Sequence, residues 1–291
     1  MAIYNLGSIN VDYVYRVPHL VQAGETLAAT GRTQGLGGKG ANMSVAAARA
    51  ACRVVHVGAV GADGRWASDR LMEYGVDTRH IAVVDRPTGH ANIFVDESGE
   101  NAIVLLPGAN HAISDDTIGA ALSEASAGDI FLAQNETNGQ AYAARMAQSL
   151  GLRVVYAAAP FDPRAVSEMV ECTDMLILNQ VEATQLVAET GSELENLPVS
   201  DIIVTMGAEG CRWIPKDRAA IQTFAAPDVK PVDTTGAGDT FAGYLIAGME
   251  RGMPMAQAID LATRAAALMV TRVGTADVIP DLKEIEDQRL R

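Results

Sequence analysis

The chain has 291 residues, 48% hydrophobic and 20% charged, which excludes a disordered or fibrous polypeptide and suits an α/β core that needs neither disulfides nor a structural metal. Twenty-two Lys and Arg stand against 36 Asp and Glu, a formal net charge of −14, which argues against a broad basic face for nucleic acid or an anionic membrane. An anionic ligand must then be held by local devices such as helix N-termini, backbone amides, one or two Lys or Arg, or a metal.

Residues 3–6 read as a short apolar strand ending at Gly7-Ser8. Residues 11–17 (VDYVYRV) alternate with β-branched and aromatic side chains and predict a second strand, and 26–34 read as extended with polar residues suited to an exposed sheet. The sequence GLGGKGAN then opens an Ala-rich helix over 43–51, followed by a strand at 54–60, a helix at 65–74 and a strand at 81–84. Segments 89–96 and 101–106 flank Glu97-Ser98-Gly99-Glu100, a hairpin signal with Gly in the turn. From Ser114 helices and strands alternate: helices over 115–127, 139–150, 163–171 and 182–189, strands over 130–133, 154–157, 175–178 and 202–205. A hairpin over 211–215 and 219–224 and helices over 238–249, 255–273 and 281–290 complete the chain.

This rhythm predicts an α/β fold, a mostly parallel sheet with helices on both faces. The extra strands at about 11–34 and 89–106 break the rhythm and are expected to form a small antiparallel β-sheet lid within a single domain spanning 1–291. Cys52, Cys172 and Cys211 are odd in number, lack a CxxC pair and read as reduced core thiols of an intracellular protein. The five His residues show no zinc pattern. The N-terminus lacks a basic start followed by an apolar stretch, and no apolar run approaches a membrane span, so a cytoplasmic location is expected.

Two Gly-rich clusters carry chemistry. The first, GLGGKG at 35–40, contains GxGxxG, but the segment before it is a poor buried strand and the strand at 3–6 lacks the fingerprint, so the motif is weak support for a dinucleotide site. A Walker A pattern is absent from the sequence. Small residues here let the backbone approach a polar ligand closely, with Lys39 and Asn42 donating to it. The second cluster, DTTGAGDTF at 233–241, immediately precedes a helix. Its small residues expose successive N–H groups at a helix N-terminus, an anion site, and Asp239 in the first turn is placed as a general base where a phosphoryl group meets an attacking hydroxyl.

The motifs GSINVD at 7–12, GGKGAN at 37–42, NQVE at 179–182, TMGAEG at 205–210 and DTTGAGDTF occur in the order and spacing of the ribokinase-like carbohydrate kinases, the family that includes the B-type phosphofructokinases. The resemblance covers nearly the whole chain, and LPGAN at 106–110 is most similar to the ribokinase branch. It implies an ATP- and Mg²⁺-dependent kinase acting on a primary hydroxyl of a small sugar, D-ribose O5 before fructose, a nucleoside or a ketodeoxy sugar acid. The rivals are an inactive sugar- or nucleotide-binding protein and a dehydrogenase. By resemblance, Asn10, Asp12, Gly38, Lys39, Asn42 and Glu136 bind the sugar. Asp239 is the catalytic base, and Gly236, Ala237 and Gly238 form the anion hole. Asn179, Thr205, Gly207, Ala208 and Gly210 bind ATP, and Glu182 organises Mg²⁺ through water. Asp233 and Thr235, with backbone at Met269, Arg272 and Gly274, match a monovalent-cation loop, implying activation by K⁺, and a homodimer joined lid to lid is implied as well. The chain departs from the pattern at Ala51, where a Gly usually closes the first helix, at Tyr244, where a small residue is usual, and at Val278, near a position that often presents Ser to the cation.

Overall fold

The computed structural model describes residues 1–217 and 221–288. Its strands are β1 (Ile3–Leu6), β2 (Asn10–Arg16), β3 (Gly31–Gly37), β4 (Val54–Val60), β5 (Asp77–Val83), β6 (Gly89–Val95), β7 (Asn101–Leu106), β8 (Ile130–Ala133), β9 (Arg153–Ala157), β10 (Met175–Asn179), β11 (Asp201–Thr205), β12 (Cys211–Ile214) and β13 (Gln222–Phe224). Its α-helices are α1 (Lys39–Arg49), α2 (Arg65–Glu73), α3 (Asp115–Leu122), α4 (Gln140–Ser149), α5 (Pro163–Met169), α6 (Gln180–Thr190), α7 (Ala237–Glu250), α8 (Met255–Met269) and α9 (Leu282–Asp287).

Nine strands form one sheet in the order β13-β12-β11-β10-β9-β8-β1-β4-β5. Pairing is parallel from β11 through β5, and the edge strands β12 and β13 are antiparallel. Side chains alternate between two cores. Ile3, Val54, Leu132 and Val155 pack with α1, α7 and α8, while Tyr4, Val55, Phe131 and Val154 pack with α3, α4 and α6. Each fully buried aliphatic side chain, Val included, stabilises the fold by roughly 1.5–3 kcal/mol, so β4, with four Val buried along its length, is a central support.

The second sheet runs β3-β2-β6-β7. β2–β3 and β6–β7 are antiparallel as expected, but β2 and β6 run parallel, so the lid is mixed. The reason lies in the chain path. β1 and β5 both leave the same end of the large sheet, so the lid strands that follow them start from the same side. β3 extends through Gly37 and runs straight into α1, which starts four residues before the Ala-rich run. α3 and α8 stop short of the predicted 127 and 273. The predicted helix 281–290 and hairpin strand 219–224 extend partly outside the described residues.

Two departures from the family pattern have structural accounts. Tyr244 is wholly buried, and its hydroxyl donates to Pro280 O at 2.5 Å, tying α7 to the C-terminal segment. Ala51 follows the end of α1 with φ 65°, the one non-glycine residue at positive φ among the described residues. An L-residue in that region is strained by roughly 1–2 kcal/mol. Ala51→Gly is therefore expected to raise unfolding stability by about 1 kcal/mol, part of the relief being offset by glycine's freedom in the unfolded chain. A higher midpoint in urea checks this, and an unchanged or lower one refutes it.

Candidate active site

The site forms where the chain crosses between the two sheets. β1 passes into β2 through Gly7-Ser8-Ile9, and β3 returns into α1 through Gly38. The two passages touch backbone to backbone: a Cβ on Gly40 would lie 2.3 Å from Gly7 Cα, a distance no side chain tolerates. Ser8 O accepts from Ala41 N, and Ser8 Oγ accepts from Gly40 N.

Glu136, in the loop after β8, closes this crossing. One of its oxygens accepts from both Ser8 Oγ and Lys39 N. Asn10 and Asp12 enter from β2. Asn10 Oδ1 accepts from Asn110 Nδ2 at 2.8 Å, and Asn110 Oδ1 accepts from Ile9 N. Asn110 is an anchor that the sequence reading passed over, although LPGAN, which ends on it, was noted.

Burial, then the charge of Glu136, pushes the Asp12 carboxyl up to about 7. Lys39 is held above the ordinary lysine value by the Asp239 charge first, with Glu136 and Glu182 adding and burial opposing. One ammonium thus sits in the field of three carboxylates.

α7 brings in the second half. Its residue Gly243 lies against α1, where a Cβ would stand 2.6 Å from Met43 O. That close approach lets Asn42 on α1 meet Asp239 on α7, with Asn42 Nδ2 donating to Asp239 Oδ2 at 2.9 Å. Both residues are buried, and Asn42 Oδ1 has no hydrogen-bond partner. Gly236 caps α7, and Ala237, Gly238 and Asp239 form its first turn, whose N–H groups lack intrahelical acceptors. Such a turn attracts anions.

A groove of about 610 Å³ leads away from Lys39, Asp239 and the Gly236–Gly238 turn. Asn179 and Glu182 line it at the β10–α6 junction, and Thr205, Gly207, Ala208 and Gly210 line it after β11. Asn179 and Glu182 form a reciprocal capping box, with Asn179 N donating to Glu182 Oε2 and Glu182 N to Asn179 Oδ1. Burial raises the Glu182 carboxyl above the ordinary glutamate value. The far wall is apolar, formed by Ala266, Ala267 and Val270 on and just after α8 and by Pro227 and Val229. The sequence reading missed this wall, because small and aliphatic side chains on a helix face carry no motif.

Beside the turn, Asp233 clips two loops together: Oδ1 accepts from Thr235 N and Oδ2 from Gly274 N. Met269 O accepts from Arg272 N, and the Arg272 guanidinium binds Val278 O and Glu284.

The residues assigned to the anion hole and the nucleotide therefore line one groove with Lys39 and Asp239, and the Asn42–Asp239 and Lys39–Glu136 bonds join that groove to the crossing that leads into β2. A model of the pfkB family carbohydrate kinases matches residues 3–282. The ribokinase of Haemophilus influenzae is 33% identical over 295 residues, covering 96% of this chain and 95% of its own. The structure of Arabidopsis thaliana ribokinase complexed with ribose and ATP is 27% identical, with a TM-score of 0.86 over 99% of this chain and 98% of that one. The ribokinase of Cryptococcus neoformans, in complex with ADP, is 31% identical with a TM-score of 0.84 over 98% and 99%. The chain belongs to the pfkB family of carbohydrate kinases and is a phosphotransferase with a sugar as acceptor.

Proposed function

We propose that this kinase transfers the γ-phosphoryl group of ATP to a primary hydroxyl of a small neutral sugar, D-ribose at O5 first among them. The observation that carries the reading is the Asn42–Asp239 bond, which joins the hydroxyl-binding half to the anion-binding turn. Asp239 is placed to accept the proton of the attacking hydroxyl as the new O–P bond forms. The first-turn amides of α7 are placed to stabilise charge on the transferring group. Asn42 Oδ1 is a buried acceptor awaiting a donor, which a sugar hydroxyl supplies; left unpaired, such an atom costs roughly 1–3 kcal/mol.

Glu182, a buried carboxylate at the groove, fits Mg²⁺, which keeps several waters and takes one or two carboxylates beside substrate phosphates. When bound, that ion screens the ATP phosphates and neutralises developing charge. A neutral acceptor fits better than a sugar phosphate. Lys39 is a single cation facing the three carboxylates of Asp239, Glu136 and Glu182, and Arg32 instead lies over the Tyr13 ring at 4.4 Å while bonding Gln34.

An ATP-consumption screen over neutral sugars, sugar phosphates and nucleosides tests the acceptor. Run in K⁺ and in Na⁺ at matched ionic strength, it also tests the modest K⁺ activation expected of the Asp233 loop. ATP turnover with no sugar in the panel would refute the reading.

Three outcomes follow from the geometry. Asp239→Asn keeps the size and the Asn42 contact but loses basicity, so turnover should fall by roughly 10²–10⁴-fold while ATP still binds; near-normal kcat would remove Asp239 from its role. Asp12 accepts sugar hydroxyls with both oxygens as a carboxylate, whereas protonation turns one of them into a donor, and with its carboxyl near 7 the ionised fraction drops about tenfold from pH 8 to pH 6. The sugar KM should accordingly rise about tenfold as pH falls over that range, ATP KM changing far less, and a flat sugar KM would contradict the assignment. Lastly, every residue of β7 is exposed, including Ile103, Val104, Leu105 and Leu106, an apolar edge strand that a second copy would cover. Light scattering at micromolar concentration should give a dimer mass, and a monomer would overturn a lid-to-lid assembly.

A further inference from the structure

Beneath the crossing lies a buried polar chain that the chemistry above does not use. Asn5 on β1, Ser44 on α1, His56 on β4 and Gln134 after β8 are each at most 1% exposed, inside a core otherwise built of Ile, Val, Leu and Ala. Gln134 Nε2 donates to Asn5 Oδ1 at 2.8 Å. Asn5 Nδ2 lies 2.8 Å from both Ser44 Oγ and Gly40 O. Ser44 Oγ lies 2.8 Å from His56 Nδ1, and His56 Nε2 lies 3.0 Å from Gly7 O.

The proton directions are determined. Gly7 O only accepts, so His56 Nε2 carries the hydrogen. The neutral ring then leaves Nδ1 as an acceptor, which takes the Ser44 hydroxyl hydrogen, and Ser44 Oγ accepts from Asn5. Burial holds the imidazole pKa down at about 4, so the ring is neutral across the working range. A charged ring would turn an N–H toward Ser44 and break the sequence of donors.

The ends of the chain are informative. A cluster serving only to satisfy its own members would close on itself. Besides Gln134, whose amide donates to Asn5, this one ends on the carbonyls of Gly7 and Gly40, the two glycines whose backbones touch where β1 and α1 cross. Gly7 precedes Ser8 and Asn10, and Gly40 lies between Lys39 and Asn42. Neither glycine has a side chain with which to hold its own place.

We propose that His56, acting through Ser44 and Asn5, is a positioning residue that fixes the Gly7–Gly40 crossing and so sets the spacing between Asn10 and Asp12 on one side and Lys39 and Asn42 on the other. It touches neither substrate. The effect should fall mainly on the acceptor, because α1 gives the nucleotide groove only Lys39 and Met43, and the rest of its wall comes from β10, β11, α7, α8 and their adjoining segments. The inference rests on the proposed sugar phosphorylation for its kinetic readout only.

The test compares His56→Phe, which keeps a ring but removes both hydrogen bonds, Ser44→Ala, and His56→Gln, whose amide can again donate to Gly7 O. Amide hydrogen exchange is measured on the full-length protein, and steady-state kinetics with the sugar that the wild type phosphorylates. His56→Phe and Ser44→Ala should speed exchange selectively in peptides covering 7–12 and 38–44 and raise the sugar KM about tenfold, with ATP KM within twofold. His56→Gln should recover most of both. A uniform rise in exchange, or a lowered melting temperature with unchanged sugar KM, would reduce the chain to packing and overturn the proposal. Should His56→Phe fail to fold, Ser44→Ala, the smaller change, decides on the same readouts. If the wild type phosphorylates no sugar, the functional reading fails, and local against uniform exchange alone decides this inference.

Discussion

The contact between Gly7 and Gly40 is the constraint from which the site follows. The chain leaves the large sheet after β1, builds half of the lid, and returns at α1, and the two passages share a space with no room for a Cβ on either side. Because they touch, residues 30 or more positions apart in sequence become neighbours: Ser8 bonds Gly40, and Glu136 reaches both Ser8 and Lys39. α1 then leads outward from this point, and its tight packing on α7 at Gly243 delivers Asn42 to Asp239. A displacement at the crossing would be passed along α1 as a rigid body, since interiors packed to crystal density transmit strain. Where the chain leaves the lid after β7, Asn110 ties it to the first entry by bonding the Ile9 backbone and Asn10.

Much of this could be read from sequence where the signal was local. The alternation after Ser114 is a run of buried parallel strands and half-buried helices, and periodicity reports both directly. NQVE sits at a strand-to-helix junction and DTTGAGDTF at a loop-to-helix entry, where cap chemistry leaves a recognisable pattern, and both lie on the groove. What failed was non-local. The β2–β6 pairing depends on where two strands start in space, which no window contains. The extended segment read at 26–34 overlaps β3 but stops short of its end, because Gly35 and Gly37 belong to the Gly-rich cluster that reads as a helix entry, yet they are accommodated in an edge strand. α1 was started late because Gly38-Lys39-Gly40 reads as a loop, whereas tertiary contact with Ser8 and Glu136 recruits it into the first turn. Asn5, Ser44 and His56 each look like an isolated polar residue in an apolar stretch, and only the fold shows that they meet.

The distribution of charge explains why one chain can hold a polyol and a polyphosphate side by side. The lid half is acidic and acceptor-rich: Asp12, Glu136, Asn10 Oδ1 and Asn42 Oδ1 suit hydroxyl donors and repel phosphate. The groove half offers anions a helix N-terminus, backbone amides and a buried Glu182 suited to a hydrated divalent ion. Lys39 stands at the boundary, kept protonated by carboxylates from both halves. Asp239 shares that boundary, with its carboxylate oriented by Asn42 from the acidic side and its backbone built into the anion-binding turn. On the proposed reading, a hydroxyl drawn into the lid half would meet, at Asp239, a carboxylate placed to take its proton and the edge of the field that attracts a phosphoryl group. A protein with a net charge of −14 needs no basic surface for this, because local devices, a helix N-terminus, backbone amides, one lysine and a carboxylate suited to a divalent ion, can meet phosphate in its place.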